Sequence, residues 1–132
     1  MAIDSGAGLL GALAEQGRPV DRAGRGVLVE TYPAAALASW GLPFQRYKRA
    51  GNAAALGELV TQLQIKLPGL CFGDAEALCR SSDDAFDAVV CALVARGASL
   101  GLVTGPPPGL AATAAREGWI VLPTTGLDRL IG

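Results

Sequence analysis

Gly26-Val27-Leu28-Val29-Glu30-Thr31-Tyr32-Pro33 is a short apolar run closed by glycine at one end and proline at the other. Val27 to Thr31 has the pattern of a strand buried on both faces, as in parallel sheets. Glu30 stands at its C-terminal end. Pro33 sits where a helix tolerates proline, and Ala34 to Trp40 continue that helix to a stop at Gly41. Trp119-Ile120-Val121-Leu122 is a second run of the same kind, ended by Pro123. Helical spacing fills the rest: Ser5 to Gln16, Asn52 to Lys66, Asp83 to Ala98 and Leu110 to Glu117. The alternation predicts an α/β fold, helix-rich with two short parallel strands. Two strands make a poor sheet. The exposed edge therefore argues for a homodimer.

At 132 residues the chain is read as one domain, 1–132. A hydrophobic share of 51% supports a real core, and 17% charged residues with net charge −1 argue against a broadly basic nucleic-acid binder. The sequence contains no histidine, which excludes histidine acid–base chemistry and Ser-His-Asp triads and nearly excludes a zinc site. Cys71, Cys79 and Cys91 form no C-x-x-C pair and read as reduced thiols of a cytoplasmic protein. Neither a signal peptide nor a membrane-length apolar run is recognisable.

The helix from Asp83 carries the chemistry. Phe86, Val89, Val90, Leu93 and Val94 form its apolar face. Asp84 and Asp87 lie three apart, on one side with Ala88, Cys91 and Ala95. That small-residue stripe would let a strand pack closely. Ser81 or Ser82 as N-cap, with acids in the first turn, accounts for Asp83 and Asp84 without any site. Asp87 lies beyond the first turn and lacks that explanation.

If the stripe packs near the end of the first strand, Glu30, Asp84 and Asp87 converge, and three close acids call for a cation. Mg²⁺ or Mn²⁺ with oxygen ligands would suit them and could serve phosphodiester hydrolysis. The alternative for Glu30 is a salt bridge to Arg22, Arg25 or Lys48, or a capping role at the next helix. Phe44-Gln45-Arg46-Tyr47-Lys48-Arg49 is a basic cluster interleaved with aromatics. Arg46, Lys48 and Arg49 would contact phosphate and the rings would stack on bases. Alternatively it is a solvated loop whose Phe44 and Tyr47 pack on the core.

Several motifs occur in one order: Glu30-Thr31-Tyr32-Pro33-Ala34-Ala35-Ala36-Leu37, Trp40-Gly41-Leu42-Pro43, Tyr47-Lys48, Asp83-Asp84-Ala85-Phe86-Asp87-Ala88 and Glu117-Gly118-Trp119-Ile120-Val121-Leu122-Pro123. Together they resemble the predicted RNase H-like nucleases grouped as domain of unknown function 429, over roughly residues 7–125. The resemblance implies a ribonuclease H-like fold and a metal-dependent nuclease ancestry. It places the catalytic and metal-binding acids on Glu30, Asp84 and Asp87. The strand-rich first half of such domains, with its aspartate, has no counterpart here. The chain is thus expected to correspond to the C-terminal half, with one metal ligand missing. Two functions follow as expectations: a divalent-metal nuclease incomplete as an isolated chain, or a non-catalytic remnant serving as an oligomeric or interaction module.

Overall fold

Ser82 begins the longest helix by accepting a hydrogen bond from the Ala85 N–H at 3.2 Å. In the computed structural model, which describes residues 2–48 and 50–131, this helix runs Asp83–Ser99. The helices are α1 (Ala2–Glu15), α2 (Pro33–Ser39), α3 (Ala53–Lys66), α4 (Glu76–Ser81), α5 (Asp83–Ser99) and α6 (Ala111–Glu117). Short 3₁₀ turns occupy Ala50–Asn52, Gly73–Ala75, Pro108–Leu110 and Leu127–Arg129. No described helix is long and apolar enough to cross a membrane.

Contacts gather into two compact units, Met1–Glu30 with Gly105–Val121 and Thr31–Thr104 with Leu122–Gly132. The second holds most of the core. Within it α3 packs on α4, α4 on α5, and α2 on α5. Leu56, Leu59, Val60 and Leu63 of α3 are buried at helical spacing, as are Phe86, Val90, Leu93, Val94 and Gly97 of α5. Fully burying each large side chain contributes about 1.5–3 kcal/mol. The end of α2 is set by Gly41, whose φ of 70° lets its N–H reach Ala38 O at 3.0 Å while the Leu42 N–H reaches Leu37 O at 2.9 Å. That reversal turns the chain from α2 into the loop carrying Phe44 to Lys48.

In the first unit, Gly17 ends α1 in the same way, with bonds from Gly17 to Ala14 and from Arg18 to Leu13. Its described buried apolar side chains are only Ala23, Ala114 and Val121. Polar bonds supply much of the order there.

The fold is not α/β. No strand exists among the described residues; two isolated bridges stand in place of the expected parallel pair. Glu30 and Ile120 form one parallel bridge, with Val121 N–H donating to Glu30 O at 2.9 Å. The two runs do meet in the expected direction, but for one residue pair. Val27 is 49% exposed and Ile120 52%, so neither run is sandwiched as a parallel strand requires. With no third strand beside them, Gly26 and Pro33 leave too little chain to extend the ladder. In the second unit Val103 and Pro123 form an antiparallel bridge. Pro123 has no N–H to donate. Thr104 Oγ1 instead accepts the Leu122 N–H at 3.0 Å. The sheet edge behind the homodimer expectation therefore does not exist among the described residues. The small-residue side of α5 is uncovered as well: Ala88 and Ala95 are exposed and Cys91 is half-buried.

Candidate functional site

Asp87 sits one turn into α5, and two partners from a single loop close on it. Tyr47 Oη donates to Oδ1 at 2.7 Å. Lys48 Nζ lies 2.7 Å from Oδ2. Adjacent residues can take both oxygens because the loop turns back against α5 at Tyr47. That ring is 2% exposed and packs edge-on against Phe86, with centroids 5.9 Å apart. The Lys48 ammonium also stands 5.9 Å from the Tyr47 ring centroid. The Asp87 side chain is 16% exposed, against 51% for Lys48. Burial first, and then the bond to Asp87, push the Tyr47 hydroxyl far above its ordinary range. The same carboxylate holds Lys48 above its ordinary value.

The charge of Asp83 bears on both Tyr47 and Lys48. Within one turn of Asp87, Asp83 is half-buried while Asp84 faces solvent. The i, i+4 spacing was visible in the sequence and is the signal that identifies Asp83.

Beside the triad lies an open cleft of about 770 Å³, lined by Tyr32, Ala34, Phe44, Arg46, Tyr47 and Lys48 with Gly51 and Asn52. Ala35 and Ala38 of α2 extend it past Phe44 and Arg46. Tyr32 is 53% and Phe44 40% exposed, and none of the described lining residues is acidic. Arg46 is the one described non-glycine residue with positive φ, 65°. That conformation costs about 1–2 kcal/mol for an L-residue. Of the expected nucleic-acid contacts, Arg46 and Lys48 line the cleft, and Arg49 lies outside the described residues. Phe44 and Tyr47 divide between the two sequence readings: one ring faces solvent and the other is core.

Glu30 belongs to the first unit and has its own partners. Arg22 Nη2 donates to Oε1 at 2.7 Å, and the Trp119 N–H to Oε2 at 3.1 Å. Arg22 also donates to Arg116 O at 3.1 Å. This is the ion pair that the sequence left open for Glu30. It ties the 22–30 loop to the end of α6.

Among the described residues no three Asp, Glu or Cys side chains gather closely enough to hold a metal ion. Both oxygens of Asp87 and both of Glu30 are bonded to protein donors. An ammonium at 2.7 Å from Asp87 would also repel a divalent cation placed there. In this arrangement Glu30, Asp84 and Asp87 do not fit Mg²⁺ or Mn²⁺. The thiols add no ligand cluster: Cys79 is buried, and burial raises both it and Cys91 above the ordinary thiol value.

The family model described as a protein of unknown function, DUF429, matches residues 3–111. The match covers most of the chain, and the chain belongs to this family. No curated protein and no solved structure matches it.

Proposed function

We propose that this DUF429 member is a binding module for single-stranded nucleic acid, with the cleft beside α2 as the binding surface. One observation carries the reading. Tyr32 and Phe44, both exposed, line the same open cleft as Arg46. Exposed rings give bases a stacking face, each stack contributing about 1–3 kcal/mol. A guanidinium at the lip provides a bidentate phosphate contact. The walls from Ala34, Ala35 and Ala38 are short enough to admit a base. With a net charge of −1, long-range attraction is weak, so binding is modest and sensitive to salt. The module holds its ligand without cleaving it, because Asp87 and Glu30 already bond to Tyr47, Lys48, Arg22 and the Trp119 N–H.

The test is fluorescence anisotropy with a labelled oligothymidylate of about ten nucleotides, beside a duplex of the same length, at about 50 mM salt. Binding to the single strand in preference to the duplex is the expected result. No binding to either sinks the reading. A parallel incubation with Mn²⁺ decides against the nuclease alternative or for it. Cleavage that disappears in Asp87→Asn protein would replace the binding module with a metal-dependent nuclease.

A further inference from the structure

Lys48 lines the cleft, yet its ammonium is turned to Asp87 rather than left for a ligand. We infer that Asp87 acts as an internal stand-in for phosphate, occupying Lys48 and so setting how many phosphate contacts the cleft can make. The inference rests on the nucleic-acid reading above. A carboxylate and a phosphate present the same kind of anionic oxygen to an ammonium. Three features favour the internal anion. It is fixed, because Tyr47 Oη bonds its other oxygen at 2.7 Å and Tyr47 is buried. It is largely shielded, at 16% exposure, so losing Lys48 would leave a poorly solvated carboxylate. And Asp83, whose charge also bears on Lys48, stands one turn before Asp87 on α5, so losing the ammonium would leave two neighbouring acids with less compensation. A flexible phosphate from solution offers Lys48 none of this and must also give up its own water. Arg46 therefore contacts the ligand, and Lys48 remains with the protein.

The experiment measures affinity for the labelled oligothymidylate against salt concentration. The Asp87→Asn amide oxygen can still accept from Tyr47, so the loop keeps its anchor while the ammonium is released. One more phosphate contact to a single strand steepens the log–log salt slope by about 0.7 and tightens binding about fivefold at about 0.1 M salt. The double variant Asp87→Asn/Lys48→Gln should return to the wild-type slope. Asp83→Asn, which removes the same charge without breaking the pair, should leave the slope unchanged. An Asp87→Asn slope equal to wild type, or shallower, overturns the inference while leaving the binding reading intact. A wild-type chain that binds no oligonucleotide removes both. Should Asp87→Asn fail to fold, the ¹⁵N resonance of the Lys48 ammonium in the wild-type chain decides. It stays in place at ligand saturation if Asp87 keeps it, and a shift on saturation overturns the proposal.

Discussion

Tyr47 and Asp87 are forty positions apart, and the 2.7 Å bond between their side chains fastens the aromatic loop to α5. The loop has no regular structure between Leu42 and Lys48 apart from turns. Its position is fixed by this bond, the neighbouring Lys48–Asp87 pair and the buried Tyr47 ring. What Phe44, Arg46 and Lys48 present to a ligand depends on that attachment.

Removing the bond tests it directly. Tyr47→Phe keeps the ring against Phe86 and deletes only the hydroxyl. A hydrogen bond to a charged acceptor contributes about 1.5–3 kcal/mol. Lys48 remains to neutralise Asp87, so a loss of about 1–2 kcal/mol is expected in urea denaturation. The alkaline limb changes as well. Tyr47 keeps its proton in the folded state well past the ordinary 10.0, and Lys48 past 10.5. Above those values the native state binds more protons than the unfolded chain, so stability is complete below about pH 10 and falls as pH rises beyond it. Tyr47→Phe should flatten this fall, leaving the smaller contribution of Lys48. An alkaline limb as steep as wild type would show that Tyr47 does not hold its proton.

The helices other than α4 were legible because each carries its own punctuation. Gly17 and Gly41 stop α1 and α2, Ser82 caps α5, and the apolar positions of α3 and α5 repeat at helical spacing. The strands were misread because Val27–Thr31 and Trp119–Leu122 satisfy a local pattern whose meaning depends on neighbours the segment does not contain. A strand exists only if another strand takes its bonds, and here one residue pair does so. The site was half legible. Asp87 was singled out because an acid in an apolar helix needs a partner, yet its partners proved to be Tyr47 and Lys48 rather than two further acids. Local spacing placed Asp84 beside Asp87 but could not show which turn of α5 the loop would meet.

Gly118 ends α6 with φ 98° and ψ 161°, a conformation open essentially to glycine alone. A Cβ there would collide with the Glu30 carboxylate and lie 2.7 Å from Arg22 Nη2. Gly118→Ala should therefore break the Arg22–Glu30 pair and the Trp119 bond to Glu30, at a cost of at least about 2 kcal/mol. Hydrogen exchange at the Trp119 amide, bonded to Glu30 Oε2 at 3.1 Å, gives the local readout. Unchanged protection in the variant would contradict the steric account.

Arg80 joins α4 to α3 through bonds to Gly57 O at 2.8 Å, Thr61 Oγ1 at 3.1 Å and Gln64 Oε1 at 3.1 Å, besides Glu76 on its own helix at 3.0 Å. The Glu76 pair is a partly exposed i, i+4 contact of small value. The three cross-helix bonds use the guanidinium fork, which lysine lacks. Arg80→Met should cost about 2–3 kcal/mol, and Arg80→Lys should recover only part of it. An Arg80→Lys variant as stable as wild type in thermal denaturation would mean that charge, not the fork, holds α3 to α4.

Phe44 and Arg46 share the cleft but act through different physics, so their variants should separate. Phe44→Ala removes a stacking face and should weaken oligothymidylate binding by about 1–3 kcal/mol with the salt slope unchanged. Arg46→Gly removes a phosphate contact and should lower the slope by about 0.7. It also relieves an L-residue held at φ 65°. That relief of about 1–2 kcal/mol is offset in part by the greater freedom of glycine in the unfolded chain, about 0.4–1 kcal/mol. Arg46→Gly should thus be no less stable than wild type, and up to about 1.6 kcal/mol more stable, while binding worse. Strained backbone kept at a position whose side chain lines the cleft is what a binding role predicts. A variant that is more stable and binds equally well would show that the strain serves some other purpose and that Arg46 does not touch the ligand.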